Sequence, residues 1–267
     1  MRNPPADTAA SEGRQLPRFY LQPRPALGIA VEHVLALPEK LAHHVRVLRL
    51  EAGDKIVLFD GSGGEYLSSL EGVGKHTVMA KLDAFSPREA EPAYRIVLAQ
   101  SVAGGDKMDW VVEKAVELGV HAIQPLLSAR GVVRLSGERA TRRVAHWQAL
   151  AAAACEQCGR NRVPLVLPLL NLENWLAKLD GQPGMVMAPS AATSLAEVAG
   201  GQTIGSARRE GRAINLLVGP EGGFAPEEEA QAIAAGLVAV KMGERVLRCE
   251  TAGPAALAAL ATIWGEF

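Results

Sequence analysis

The stretch Ile214-Asn215-Leu216-Leu217-Val218-Gly219-Pro220-Glu221-Gly222-Gly223 decides how this chain is read, because an apolar run ends there in a glycine-bearing loop. An apolar segment stopped by Gly and Pro predicts a buried strand whose C-terminal end runs into a tight turn. Further on, Met242-Gly243-Glu244-Arg245-Val246-Leu247-Arg248-Cys249-Glu250-Thr251 forms a second loop after another short apolar run. Glycine has no Cβ, so backbone N–H and C=O groups at such turns approach a ligand closely. Two loops of this kind predict two walls of one pocket.

The ligand is not announced by a standard phosphate signature. Gly219 to Gly223 fits neither the G-x-G-x-x-G spacing of a dinucleotide fold nor the G-x-x-x-x-G-K-[ST] spacing of a phosphate loop. Glu221 puts a carboxylate where a phosphate binder would want none, which favours a ligand carrying cationic or hydroxyl groups. Beyond the loop, Pro226 with Glu227, Glu228 and Glu229 reads as a helix start, since Pro suits the first helical position and acidic side chains suit the positive end of the helix.

Upstream, the pattern alternates. Arg95 to Val102 predicts a strand and Met108 to Leu118 a helix, with Asp106 as cap, Asp109 three residues on, and Gly119 as the stop. Ala122 to Leu127 predicts a strand, Arg143 to Gly159 a helix, and Gly184 to Ala188 and Ile214 to Val218 two strands. Pro226 to Ala235, Leu237 to Met242 and Pro254 to Trp264 complete the series as helix, strand and helix. Such alternation predicts an α/β domain with a mainly parallel sheet, whose ligands gather beyond the C-terminal strand ends. Both glycine-bearing loops fall there.

The first third differs. From Phe19 to about Phe85 the reading is short β runs and turns: Lys55 to Asp60, Gly61 to Gly64 as a turn, Glu65 to Val73, and His76 to Leu82. This predicts a small β-barrel module over residues 16–88. Ser86 to Pro92, polar with two prolines, predicts the boundary, and the α/β domain occupies residues 93–267. Residues 1–15, rich in Pro and Ala without periodicity, are expected to be a flexible N-terminal extension.

At 267 residues and 48% hydrophobic the chain can build real cores. It has no apolar run long enough for a membrane span and no apolar leader, so a cytoplasmic location is expected. Cys155, Cys158 and Cys249 cannot complete a disulfide framework or a four-ligand zinc site, and the six histidines have no ligand spacing, so no metal is expected. The net charge is −1, yet Arg130, Arg134, Arg139, Arg142 and Arg143 crowd one segment with Glu138 as its one acid, and Arg160 and Arg162 follow. Arginine's planar fork suits phosphate, so this is a candidate RNA face, with an ordinary solvated helix surface as the alternative.

Taken together, Leu217 to Phe224, Arg245-Val246-Leu247-Arg248 with Glu250-Thr251, Glu156 to Pro164, and Lys107-Met108 through Glu113-Lys114 to Glu117-Leu118-Gly119 resemble the ribosomal RNA small subunit methyltransferase E family of SPOUT methyltransferases. Val45-Arg46-Val47-Leu48-Arg49 and Leu58-Phe59-Asp60-Gly61 are similar to that family's PUA-like RNA-binding domain. The resemblance implies a trefoil knot in the C-terminal domain, S-adenosylmethionine as methyl donor, and a homodimer with the active site at the subunit interface. It further implies methylation at N3 of a uridine in the decoding region of 16S rRNA. The chain departs from the expected pattern at Cys249, where a Thr is usual, and at Ala252-Gly253-Pro254.

On this basis Met187, Ala188, Pro189, Gly219, Pro220, Glu221, Gly222, Gly223, Met242, Gly243, Val246, Leu247 and Thr251 are expected to hold the donor. Val246 and Leu247 would flank its adenine ring. Arg248 and Glu250 are the catalytic candidates, Arg248 to stabilise a developing uridine anion and Glu250 or Glu221 to assist proton loss, Glu250 equally well being a brace for Arg248 or Arg245. Arg46, Arg49, Arg130, Arg160 and Arg162 are the candidate RNA contacts. Two other readings stay open: a non-catalytic RNA-binding module, and a related SPOUT enzyme acting on another RNA or atom such as a ribose 2′-hydroxyl.

Overall fold

A computed structural model describes residues 16–22 and 30–267. The expected extension at residues 1–15 lies outside the described residues. The chain divides into two compact units between Arg88 and Glu89.

The first unit contains β1 (Arg18–Tyr20), β2 (Val34–Ala36), α1 (Glu39–Val47), β3 (Lys55–Phe59), β4 (Glu65–Val73) and β5 (Val78–Ser86). Its five-stranded sheet runs β1-β3-β4-β5-β2, with β1 parallel to β3 and the other pairs antiparallel. Phe19, Ile56, Leu58, Leu70 and Leu82 form its core with Leu41, Ala42 and Val45 of α1. That helix was not expected in a segment read as strands and turns; the helical spacing of its three buried residues behind Pro38 accounts for it. β5 also extends past the expected Leu82, because Ala84, Phe85 and Ser86 stay paired with Leu67, Tyr66 and Glu65. Glu65 is held by Arg18 at 2.6 Å and by Arg88 at 3.0 Å.

The second unit begins with β6 (Arg95–Ser101), α2 (Lys107–Glu117), β7 (Ala122–Leu127), α3 (Gly137–Cys158), β8 (Leu165–Val166), β9 (Leu170–Asn171) and α4 (Leu172–Leu176). It continues with β10 (Gly184–Met187), α5 (Leu195–Gly200), α6 (Gln202–Arg209), β11 (Ala213–Val218), α7 (Pro226–Ala234), β12 (Val238–Val240) and α8 (Cys249–Ile263). The sheet runs β12-β10-β11-β6-β7-β8, with β9 also paired to β7, and every pairing is parallel. Ile96, Leu98, Ile214, Leu216 and Leu217 are fully buried, as strands covered by helices on both faces require. The strands β12, β10 and β11 are neighbours, so the loops that leave their C-terminal ends emerge side by side.

Two expectations need correction. Asp109 does not assist a cap at the start of α2, and Asp106 makes no side-chain cap bond. Asp109 instead accepts from Arg143 at 2.9 Å, His146 at 2.8 Å and the Trp147 indole N–H at 2.9 Å, locking α2 to α3. The last helix starts at Cys249 rather than Pro254, which lies inside it. Burial of Cys249, Ala252, Gly253, Ala256 and Leu257 outweighs the missing Pro254 N–H, although the Glu250 carbonyl loses the donor it would otherwise have there. Gly253 lets the helix approach closely at this crossing, since a Cβ would lie 3.2 Å from both Gln100 Oε1 and a Leu98 methyl, which would have to give way. Among the described residues no helix is long and apolar enough to cross a membrane.

Candidate active site

The loops beyond β10, β11 and β12 enclose a cavity of about 470 Å³. Met187, Ala188 and Pro189 enter it from β10; Gly219, Pro220, Glu221, Gly222 and Gly223 from β11; Met242, Gly243, Val246 and Leu247 from the segment after β12. Arg248 and Glu250 line it as well, as does Arg130 from the loop after β7. Thr251 is not among the lining residues; it is exposed in the first turn of α8, where its N–H donates to the Arg248 carbonyl at 2.9 Å.

The β11 loop is held from several sides. Gly223, at φ +66°, closes a turn by donating to the Pro220 carbonyl at 2.9 Å. Gly222 packs on Arg130, where an added Cβ would sit 3.3 Å from the arginine's own Cβ. Glu228 of α7 accepts from the backbone N–H of Ala129 at 2.7 Å and of Ala225 at 2.9 Å, which fixes the chain beside Arg130. On the opposite wall, Lys241 exchanges backbone bonds with Thr193 and Leu195, and Gly243 adopts φ +106°, a conformation a side chain would strain.

Charge in the cavity is arranged around a residue that sequence reasoning quoted but gave no role. Lys107 Nζ lies 3.1 Å from Glu221 Oε1 and 4.0 Å from Glu250 Oε2. Glu221 also accepts the Gly104 N–H at 3.0 Å. Burial alone would raise the Glu221 carboxyl, but these two donors and its own loop amide hold it below the usual range. Glu250 is lowered first by its own backbone N–H, then by Cys249, Lys107 and Arg248. Among the described residues its ion-pair partner is Lys107 at 4.0 Å; the alternative brace to Arg248 or Arg245 forms no ion pair, Arg248 acting on it only through space. Cys249 donates its thiol to Glu250 at 3.2 Å; burial, that bond and the two nearby carboxylates push its pKa up to about 12. Cys249 is thus a protonated hydrogen-bond donor, a role the usual threonine hydroxyl could also fill.

The candidate RNA arginines separate. Arg130 is exposed at the cavity. Arg162 is exposed and meets Glu89 at 3.4 Å. Arg46 is half-buried in the last turn of α1, and Arg49 is exposed two residues past the helix end in the first unit. Arg160 is a correction. Only 3% exposed, it donates to both Glu91 oxygens at 2.9 and 2.6 Å and to the Val116 carbonyl at 2.9 Å, leaving no fork for a phosphate. Its partner stands far upstream in the chain, so no local pattern revealed the pair.

A parallel sheet with a glycine-walled cavity at its C-terminal edge has known relatives. Residues 89–261 match the RNA methyltransferase domain family and residues 37–83 the RNA methyltransferase PUA domain family. The chain thus carries a PUA-like unit ahead of a parallel α/β methyltransferase unit and is an RNA methyltransferase. A crystal structure of a ribosomal RNA small subunit methyltransferase E from Neisseria gonorrhoeae, bound to S-adenosyl methionine, superposes with a TM-score of 0.83 at 39% identity, covering 94% of this chain and 98% of that one. Among curated relatives, the ribosomal RNA small subunit methyltransferase E of Bacillus subtilis is 30% identical over 83% of this chain and 87% of its own length. The one from Mycobacterium bovis is 31% identical over 83% of both chains. Within the RNA methyltransferases, this chain belongs to the ribosomal RNA small subunit methyltransferase E family.

Proposed function

We propose that the chain methylates N3 of a uridine in the decoding region of 16S rRNA, using S-adenosylmethionine bound in the cavity between the β10, β11 and β12 loops. The observation that carries this reading is the cavity's make-up: glycine backbones on two walls, Val246 and Leu247 as apolar cover, two carboxylates, and Arg248 on the same lining. These residues fit the donor. Carboxylates held as anions at Glu221 and Glu250 suit its cationic groups, and the backbone of Gly219, Gly222 and Gly243 can approach it without a Cβ in the way. When bound, the donor supplies an electrophilic methyl on a sulfonium.

The chain's own part is alignment and charge. Uridine N3 bears a proton and lies on the pairing edge, so the base must be unpaired or extruded before N3 can react. Arg248, exposed at the N-cap of α8, offers its guanidinium where negative charge develops on the uracil, and the positive end of the helix adds to it. Glu221 and Glu250 are held as anions below the ordinary carboxylate range, which makes them weak bases for a uridine N3–H. Electrostatic stabilisation by Arg248 is favoured over abstraction by either.

Further parts of the reading concern assembly. Residues 16–88 serve as the RNA-binding domain and 93–267 as the catalytic one, with Arg46, Arg49, Arg130 and Arg162 toward phosphate. Val246 and Val132 are 76% and 69% exposed, apolar surface that a second subunit would cover in a homodimer. The α8 chain end is threaded as a trefoil knot, the enzyme acts in the cytoplasm, and its target is rRNA of the small subunit. Mass mapping of 16S rRNA from cells with and without the gene is the test. Loss of one N3-methyluridine is expected; an unchanged map, or loss of a ribose methyl instead, refutes the assignment.

A further inference from the structure

Three turns at the C-terminal edge of the sheet meet at one ammonium group. The turn after β6 and the α2 start that follows it supply the Gly104 N–H and Lys107, the turn after β11 supplies Glu221, and the start of α8 supplies Cys249 and Glu250. Two carboxylates in one partly enclosed site repel each other unless a cation lies between them. Lys107 is that cation, in hydrogen-bond contact with one carboxylate and in ion-pair range of the other.

We propose that Lys107 is a positioning residue for methyl transfer: by bridging Glu221 and Glu250 it fixes the spacing between the β11 donor loop and the helix start that carries Arg248. The inference rests on the reading of the cavity as the donor site. Gly104 has a part in the same bridge through its N–H, which donates to Glu221 at 3.0 Å, and a side chain there would sit tight against Val132 at 3.1 Å. The charged and titratable groups around the bridge are Glu221, Glu250, the Cys249 thiol and Arg248, the last acting on Glu250 through space. Lys107 is raised above its ordinary value, first by its bond to Glu221, so it keeps its charge throughout the working pH range.

The consequence separates alignment from binding. Removing Lys107 makes the site more negative, which does not weaken attraction for a cationic donor, while the two loops lose their common tie. Misplacement of reacting groups by about 1 Å costs on the order of 10²-fold in rate. Without the bridge, mutual repulsion also raises one carboxylate's pKa, so an acid limb should enter the rate profile.

The test compares the parent chain with Lys107→Met and Lys107→Arg, using S-adenosylmethionine calorimetry and turnover on small subunits from cells lacking the gene between pH 5 and 9. Expected for Lys107→Met are a donor Kd within about threefold of the parent, kcat lower by on the order of 10²-fold, and a new acid limb. Lys107→Arg, which keeps the charge and donors, should recover most of kcat and the parent's pH profile. In a Glu221→Gln, Glu250→Gln background the further loss from Lys107→Met should shrink severalfold, as coupled groups require. Lys107→Met turning over like the parent, or Lys107→Arg failing equally with no change in pH profile, overturns the proposal. A parent chain that gives no heat with S-adenosylmethionine overturns the donor-site reading and this inference with it, whereas donor binding with a silent Lys107 overturns the inference alone.

Discussion

Replacing Arg160 with Met should damage the fold and not the RNA contact. Arg160 is 3% exposed, and its guanidinium spends three donors, two on the Glu91 carboxylate and one on the Val116 carbonyl. Breaking such a pair from one side costs about 3–5 kcal/mol, because the remaining charge is left without its partner. The Glu91 side chain is 21% exposed and so keeps some access to water, which puts the cost near the lower end, about 3 kcal/mol. In a unit of this size each kcal/mol moves the melting temperature by about 2–4 °C, so a drop of roughly 6–12 °C is expected. Differential scanning calorimetry reads it directly. Arg162→Ala is the control: its ion pair with Glu89 is exposed, worth less than about 1 kcal/mol, and its loss should barely move the melt. Pairing Arg160→Met with Glu91→Leu should restore part of the loss, since an apolar pair avoids the stranded carboxylate. An Arg160→Met chain that melts within about 2 °C of the parent while losing affinity for rRNA would refute the structural role and return Arg160 to the RNA face.

Arg248→Ala should lower kcat by on the order of 10²-fold or more while S-adenosylmethionine binds nearly as before; full turnover on small subunits would remove Arg248 from the chemistry. Gly243→Val forces a branched side chain into φ +106°, at a cost of about 1–3 kcal/mol, so donor affinity measured by calorimetry should fall by about fivefold or more, and an unchanged Kd would disprove the wall assignment. Burial works to raise the Glu65 carboxyl, but bonds from Arg88 and Arg18 prevail and lower it from 4.5 to about 2. Its folded pKa is depressed, so its stabilisation is present above pH 4.5 and is lost as pH falls through about 2. Glu65→Gln should therefore flatten the acid side of the stability curve seen by urea titration of the full chain, and identical curves would contradict the assignment.

The parallel sheet was legible because its strands are buried on both faces and read as apolar runs stopped by Gly or Pro; Ala122 to Leu127 and Ile214 to Val218 are examples. That two loops share one cavity was legible for the same reason, since adjacent parallel strands must release their loops at one edge. Helix ends were harder. Pro254 looked like a first-turn residue because its ring suits that position, and only burial of Cys249 and Ala252 against the sheet carries the helix further back. The short α1 was hidden among strands because its apolar stripe has just three buried members. Side-chain roles set by long-range partners were the least legible. Arg160 next to Arg162 looked like part of a basic patch, and nothing near it in sequence signals Glu91. Lys107, Glu221 and Glu250 likewise come together only once three turns are folded.

Pro254 has a mechanical consequence for the helix it interrupts. The turn from Cys249 to Gly253 is joined to the rest of α8 by one fewer hydrogen bond, and Arg248, Glu250 and Thr251 lie at its outer side. Packing makes up for the missing bond: Cys249, Ala252 and Gly253 are buried, and Gly253 lies close against Leu98 and Gln100 of β6. The start of α8 is therefore set by its fit against β6 rather than by its own hydrogen-bond ladder, and its placement follows the sheet beneath it.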